Sequence, residues 1–285
     1  MKKKSVFSPS QTFGLSNSLD IIGDIGIIRS LPNISHSLEE LANFGQSLLD
    51  IHKNVKTIFF QSSSIDGLFR LRKLNYILGE KHTQTLHKEH GCLFSVDIET
   101  CYFSPRLSHE RLRIAKKVMP KEVIVNMFAG VGCFSILIAK RNELTKVYSI
   151  DINPAAIKFM KKNVRINRVF NKVIPILGDA KIIQKNKLCG IADRILMPLP
   201  EKSYEYLSSA ILSLKKSGGW IHYYDFEYGK KKISVLDKTK FKVSEKLNSL
   251  GIAFNIPTSR IIRSIGPNWY QVVLDIHVLQ IPDSF

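Results

Sequence analysis

Gly130 and Gly132, in NMFAGVGCFS, follow the apolar run VIV and precede a second apolar run. Paired glycines at the end of a buried strand allow positive φ and let a ligand lie against the backbone. The helix that would follow offers its first amides to polar or anionic groups. Asp151 ends the next apolar segment, YSID, 21 residues after Gly130, and Asp179 ends the one after that, in LGDA. A carboxylate at the first of these positions can accept both hydroxyls of a ribose, and one at the second can accept an adenine amino group. A P-loop is excluded because no Lys follows the turn. A dinucleotide site is met only approximately, since Ser135 stands where the third small residue belongs. S-adenosylmethionine, a nucleoside without phosphate, needs less room at the helix start and needs the ribose carboxylate. The competing structural roles are helix capping by Asp151 ahead of Pro154 and turn capping by Asp179.

Those residues need a scaffold that brings strand ends together. From residue 99 onward, strand-like and helix-like segments alternate: VIVNMF, GCFSILIAKRN, KVYSID, PAAIKFMKKNVRIN, KVIPILGDA, ADRILMPLP, EKSYEYLSSAILSLK, GGWIHYYDF and VLDKTKFKVSEKLNSLG. This order predicts an α/β fold with a doubly wound, mostly parallel sheet. A short connection is expected after LGDA. RIIRSIG and YQVVLDIHVLQ predict a closing hairpin with an antiparallel edge strand. Residues 17–98 read instead as a smaller α+β domain, with one amphipathic helix in LEELANFGQSLLDIH. Residues 1–16 read as a basic arm.

The balance of charge narrows the partner. Forty-two Lys and Arg against 24 Asp and Glu leave +18 on 285 residues. Such a field attracts polyanions, nucleic acid foremost. The four cysteines form no C-x-x-C pair, so neither a zinc site nor a disulfide framework is indicated. No apolar run has the ~18 residues of a membrane span, and no apolar segment of a secretory signal follows the basic start. A cytoplasmic protein with no membrane association and no metal is expected.

Several stretches together carry a resemblance: GLFRLRKLNYILGEKHTQTLHKEHG, YFSPRLSHER, MFAGVGCFS, DINP, GDA, and ADRILMPLP followed by GGWIHYY. Over residues 17–280 the chain resembles the archaeal and eukaryotic tRNA (guanine-37 N1)-methyltransferases. The resemblance implies a Rossmann-like domain that binds S-adenosylmethionine, with the anticodon arm of tRNA as partner; a monomer is expected. It also implies roles for particular residues. Glu110 resembles the general base, Arg70 the arginine that steadies the guanine oxygen, and Tyr102 a residue that holds the target base. Arg111, the turn residues Phe128, Ala129, Gly130 and Gly132, and Asp151, Ile152, Asp179, Ala180 and Pro198 fall on cofactor contacts. A further small N-terminal domain common in the family is not expected ahead of SLDIIGDIG.

These roles make chemical sense. Guanine N1 is a poor nucleophile until its proton leaves, and a carboxylate in reach can take it as the methyl group arrives. Charge then develops on the guanine oxygen, where a guanidinium favours the transition state over the ground state. The base must be turned out of the loop, and Tyr102 or Phe103 could stack on it. Simpler readings pair Glu110 with Arg106 or Arg113, and make Arg70, Arg72 and Lys73 phosphate contacts. The strand HYYDFE, from His222, is assigned no chemistry.

The family pattern is broken twice. Pro198-Leu199-Pro200 stands where Asn-Leu-Pro is usual, and Asn126 where Asp is usual. Three alternatives therefore stay open: a methyl transfer to a wyosine intermediate at nucleotide 37, an aminocarboxypropyl transfer there, and a tRNA-binding protein without catalysis.

Overall fold

The computed structural model describes residues 19–29 and 37–282; the basic arm expected over residues 1–16 lies outside them. The chain divides into two compact units, Met1–Ser108 and His109–Phe285. The division falls inside the YFSPRLSHER stretch, at the start of a helix.

In the first unit, strands β1 (Leu19–Ile22), β2 (Ile25–Arg29), β3 (Thr57–Gln61) and β4 (Leu74–Gly79) form one sheet in that order. Strands β2 and β3 run parallel, so the chain must cross over between them, and helix α1 (Leu38–Ile51) makes that crossing. Its start is set by a capping box. The Ser37 hydroxyl accepts the Glu40 N–H at 3.1 Å, and Glu40 accepts the Ser37 N–H at 2.9 Å. The apolar stripe Leu41, Phe44 and Leu48 packs on Ile28, Val55 and Ile58. A separate hairpin follows, β5 (Gln84–Glu89) with β6 (Cys92–Asp97).

The second unit opens with α2 (Ser108–Lys117) and is built on a seven-stranded sheet. Its strands are β7 (Val123–Asn126), β8 (Lys146–Asp151), β9 (Val173–Leu177), β10 (Arg194–Met197), β11 (Gly219–Tyr228), β12 (Ala253–Gly266) and β13 (Trp269–Gln280). The order is β12-β13-β11-β10-β7-β8-β9. All neighbours are parallel except β13, which pairs antiparallel with both β11 and β12. Helices α3 (Cys133–Arg141), α4 (Pro154–Ile166), α5 (Ala180–Lys187), α6 (Pro200–Ser213) and α7 (Lys232–Ser249) connect the strands. The central strands β7 and β10 are short and mostly apolar, as befits strands buried in the middle of a parallel sheet. The core includes Val125, Ile150, Ile195, Met197, Leu207, Ile211, Ile221, Val243, Leu274 and Ile276.

This is the doubly wound, mostly parallel sheet expected, closed by the expected hairpin. One element differs: the segment after LGDA is not a bare connection but the helix α5, started by Asp179, whose Oδ1 accepts the Lys181 N–H at 2.7 Å. Strand order reverses between β7 and β10, the place where open α/β sheets bind ligands beyond their carboxyl ends. Among the described residues no helix is long and apolar enough to cross a membrane.

Candidate active site

The turn after β7 is held by backbone bonds and by one carboxylate. Gly130 and Gly132 have φ of 56° and 94°, which only glycine adopts without strain. At Gly132 a side chain would also collide, since a Cβ would lie 2.8 Å from Met160 Cγ. Asp151, the last residue of β8, accepts the Gly130 N–H through Oδ2 at 2.6 Å and the Asn153 N–H through Oδ1 at 2.9 Å. Burial raises the Asp151 carboxyl above its ordinary value, against backbone N–H groups of Asn153, Gly130 and Ile152 that favour the ionised form. The helix that begins at Pro154 takes its cap from Asn153, whose Oδ1 accepts the Ala155 N–H at 2.9 Å. Asp151 is thus not its cap; it braces the glycine turn.

Asp179 has two partners. Besides capping α5, it accepts the Tyr206 hydroxyl at 2.8 Å. Burial, and then this bond to Asp179, push the Tyr206 phenol well above its usual range. The Tyr206 ring meets Phe128 edge-on, with centroids 5.2 Å apart. The structure therefore gathers Phe128, Ala129, Gly130, Asp151 and Asp179 along the ends of β7, β8 and β9. Ala180 is buried, and Ile152 keeps an exposed side chain at the lip. Pro198 lies just past the end of β10, which pairs with β7.

Asn126 is fully buried at the end of β7. Its Nδ2 donates to Ser135 Oγ at 3.1 Å, and Ser149 donates to the same oxygen at 2.7 Å. Among the described residues its Oδ1 has no hydrogen-bond partner, a costly omission for a buried acceptor.

Glu110 is buried on α2. Its carboxylate receives Arg113 Nε on Oε2 at 2.8 Å and Arg113 Nη2 on Oε1 at 2.7 Å, the i,i+3 pair anticipated from sequence. The Tyr224 hydroxyl donates to the same Oε1 at 2.8 Å. The Tyr224 ring in turn meets Phe134 of α3, centroids 6.2 Å apart, within the first turn after Gly132. Glu110 is thereby linked through two side chains to the helix that starts at the glycine turn.

The polar chain continues inward. Arg113 also donates Nη1 to Asp275 Oδ2 at 2.6 Å and Nη2 to Oδ1 at 3.1 Å. Lys117 Nζ lies 3.3 Å from Asp275, and His222 Nδ1 lies 2.7 Å from it. His222 Nε2 meets Arg194 Nη1 at 2.7 Å, and Arg194 pairs with Glu122. Burial alone would raise the Asp275 carboxyl; bonds from His222 and Arg113 reverse this and hold it far below the carboxylate range. His222 is pushed the other way. Burial lowers its imidazole, Arg194 and Arg113 add to this, and Asp275 opposes it. The unfolded chain binds a proton at this ring below about pH 6.5, while the folded chain resists it, so stability falls as pH drops through that range. Melting curves between about pH 7 and 5 should show a steeper fall for the parent than for His222→Gln; equal slopes would contradict a neutral buried ring.

Sequence reasoning missed Tyr224, His222 and Asp275. A single carboxylate inside the apolar run YQVVLDIHVLQ was the available signal.

The first unit holds Arg70 and Tyr102. Arg70 lies in the turn Asp66–Leu71 with φ of 55°, and its guanidinium sits 4.5 Å above the Tyr102 ring. Arg72 donates to the Phe103 carbonyl at 3.4 Å, a second tie between the two loops. Arg106 pairs not with Glu110 but with the buried Asp20 at 2.7 Å, which Arg29 also contacts. Phe103 is buried against His87, centroids 5.0 Å apart, so Tyr102 is the half-exposed ring of the two. Arg111 is buried on α2.

Residues 85–250 match the family described as the TRM5/TYW2 methyltransferase domain. The chain is 40% identical over 269 residues to the tRNA (guanine(37)-N(1))-methyltransferase Trm5b of Pyrococcus abyssi, covering 93% of this chain and 76% of that one. It is 36% identical over 262 residues to the tRNA 4-demethylwyosine(37)-methyltransferase Taw21 of Saccharolobus solfataricus, covering 90% and 92%. The solved complex of aTrm5 with tRNALeu superposes with a TM-score of 0.80 at 33% identity, covering 97% of this chain and 80% of that one. A match that takes in the glycine turn, both strand-end carboxylates and the Glu110 helix, and that extends over nearly the whole chain, leaves one assignment: the protein belongs to the TRM5/TYW2 methyltransferase family.

Proposed function

We propose that this chain transfers a methyl group from S-adenosylmethionine to N1 of guanosine 37 in tRNA, as a cytoplasmic enzyme. The observation that carries the reading is the near full-length similarity to Trm5b, joined to a buried glutamate that reaches the glycine turn through Tyr224 and Phe134.

The residues present fit the cofactor. Asp151 offers a carboxylate to ribose hydroxyls, with its charge already supported by backbone N–H groups. The unpartnered Oδ1 of Asn126 offers an acceptor that an ammonium group would satisfy. Phe128, Ile152 and Ala180 supply apolar surface for an adenine, and Asp179 an acceptor for its amino group. Arg111 and Pro198 complete the set of contacts in this reading. S-adenosylmethionine supplies an electrophilic methyl group and needs no acid.

The protein's work is then proton removal, charge stabilisation and alignment. Glu110 takes the N1 proton. Its two oxygens are held by Tyr224 and Arg113, so its position is set before substrate arrives. Arg70 stabilises the charge that grows on the guanine oxygen. The ring of Tyr102, beneath Arg70, holds the turned-out base.

One other reading has a specific observation in its favour. Pro198 replaces the usual asparagine, and a proline has neither a side-chain donor nor an N–H. Taw21 matches this chain over 92% of its own length. A methyl transfer to a wyosine intermediate at the same nucleotide would use the same cofactor groups. Nucleoside mass spectrometry separates the two. Incubation of unmodified G37 tRNA with S-adenosylmethionine should yield 1-methylguanosine at that nucleotide. Product only from tRNA carrying 4-demethylwyosine, or an aminocarboxypropyl mass, would overturn the assignment.

A further inference from the structure

Strand β11 is longer than its parallel neighbour. Its pairing with β10 ends at Tyr223, opposite Met197, yet the strand continues to Tyr228. Those five further residues project about 17 Å beyond the end of β10, at some 3.4 Å per residue. Strand β13 accompanies them to Trp269 and β12 to Gly266. A three-stranded arm thus stands out past the carboxyl edge of the sheet, the edge that carries Gly130, Asp151 and Pro198.

One face of this arm is continuous with Glu110. Residues directly opposite in an antiparallel pair share a face, and alternate residues along a strand share it too. The pairs His222–Asp275, Tyr224–Val273, Phe226–Gln271 and Tyr228–Trp269 therefore form one stripe. Its inner end is the buried cluster that holds Glu110. Its outer end is two exposed aromatics, Tyr228 at 41% and Trp269 at 46% exposure, with ring centroids 5.6 Å apart and planes inclined by 57°. Arg263 lies beside them, donating Nε to Gln271 at 2.8 Å. Lys230 and Lys231, just past Tyr228, add exposed positive charge near the tip. Glu227 is the single acidic residue within 226–231 and 260–271, and alternation puts it on the opposite face.

Exposed aromatic rings ringed by cations are costly in water and suit one kind of partner. Bases stack on the rings while phosphates meet the charges. We infer that the arm is a stacking platform for unpaired nucleotides of the RNA loop, next to the nucleotide whose base enters the Glu110 site. The inference rests on the proposed tRNA reaction for the identity of the RNA. It assigns Tyr228 and Trp269 to loop binding, not to chemistry.

The chain has two tryptophans. Trp220 packs on His277, centroids 4.5 Å apart, far along β13 from the tip. In a Trp220→Phe background, emission from Trp269 should be quenched when an anticodon stem–loop RNA binds, because a base stacks on the indole. Trp269→Ala should weaken that RNA about tenfold, the loss of one stacked base, and Trp269→Phe should restore most of it. The affinity for S-adenosylmethionine and the single-turnover rate at saturating tRNA should stay at the parent's values, since binding lost equally from ground and transition states raises KM alone. RNA that binds without quenching, or that binds Trp269→Ala as well as the parent, overturns the platform even while G37 is methylated. Methyl transfer failing while the quench persists would instead strike the assigned reaction and leave the platform standing. Tyr228→Ala provides an independent second reading of the same loss.

Discussion

Glu110→Gln is expected to slow single-turnover methyl transfer by about a hundred- to ten-thousandfold, the worth of a positioned general base, with little change in S-adenosylmethionine affinity. The substitution keeps the side chain's shape and removes its basicity. The surrounding geometry limits collateral damage. Arg113 would not be left as an uncompensated buried charge, because Asp275 still receives both of its Nη groups. The Tyr224 hydroxyl would still find an amide oxygen within reach. Rapid-quench assays with labelled cofactor give the rate, and calorimetry gives the affinity. Equal loss of both would mean that the residue holds the pocket together and is not the base.

Asp151→Ala should have the opposite profile. It removes two acceptors at once: one that braces Gly130 and Asn153, and one offered to the ribose. Each charge-assisted bond is worth about 1.5–3 kcal/mol, so cofactor affinity should fall by roughly a hundredfold or more. Binding of tRNA alone should be nearly unchanged. Asp151→Asn should also weaken the cofactor, by less than the alanine, since its single amide oxygen can accept only one of the Gly130 and Asn153 N–H groups and its NH2 would face the other. The wild-type site should also respond to acid. Burial has raised the Asp151 carboxyl, so its ionised form is lost at a higher pH than for an exposed aspartate. Cofactor affinity should accordingly decline on acidification before ordinary carboxylates titrate, and titration calorimetry across the acid range checks it.

Sequence and structure agree most closely where local rules govern. Buried parallel strands read as short apolar runs, so the alternation after residue 99 exposed the sheet and its ligand-binding edge. The spacing of Gly130, Gly132, Asp151 and Asp179 followed from the same rule. Helix α5 escaped notice because it is only eight residues long and mostly polar after Asp179; its one clear sign, an N-cap aspartate, served equally well for a turn. The tie between Arg113 and Asp275 spans 162 positions, and no periodicity reports a contact of that kind. For the same reason, the role of His222 as a buried link between Asp275 and Arg194 could not be read from HYYDFE. The Glu110–Arg113 pair was legible because the partners stand three positions apart on one helix. It does not exclude the catalytic role: the arginine is shared with Asp275, and a held carboxylate is a positioned one.

A structure with unmethylated tRNA and a non-reactive analogue of S-adenosylmethionine tests most directly whether one purine touches both the acid on α2 and the donor at the glycine turn. Guanine 37 should be found out of the loop stack, with a Glu110 oxygen about 2.6–3.2 Å from its N1 and the donor's sulfonium position in line beyond that nitrogen. Guanine 37 seated with N1 facing another side chain, and Glu110 still enclosed by Arg113 and Tyr224 away from the base, would contradict this arrangement.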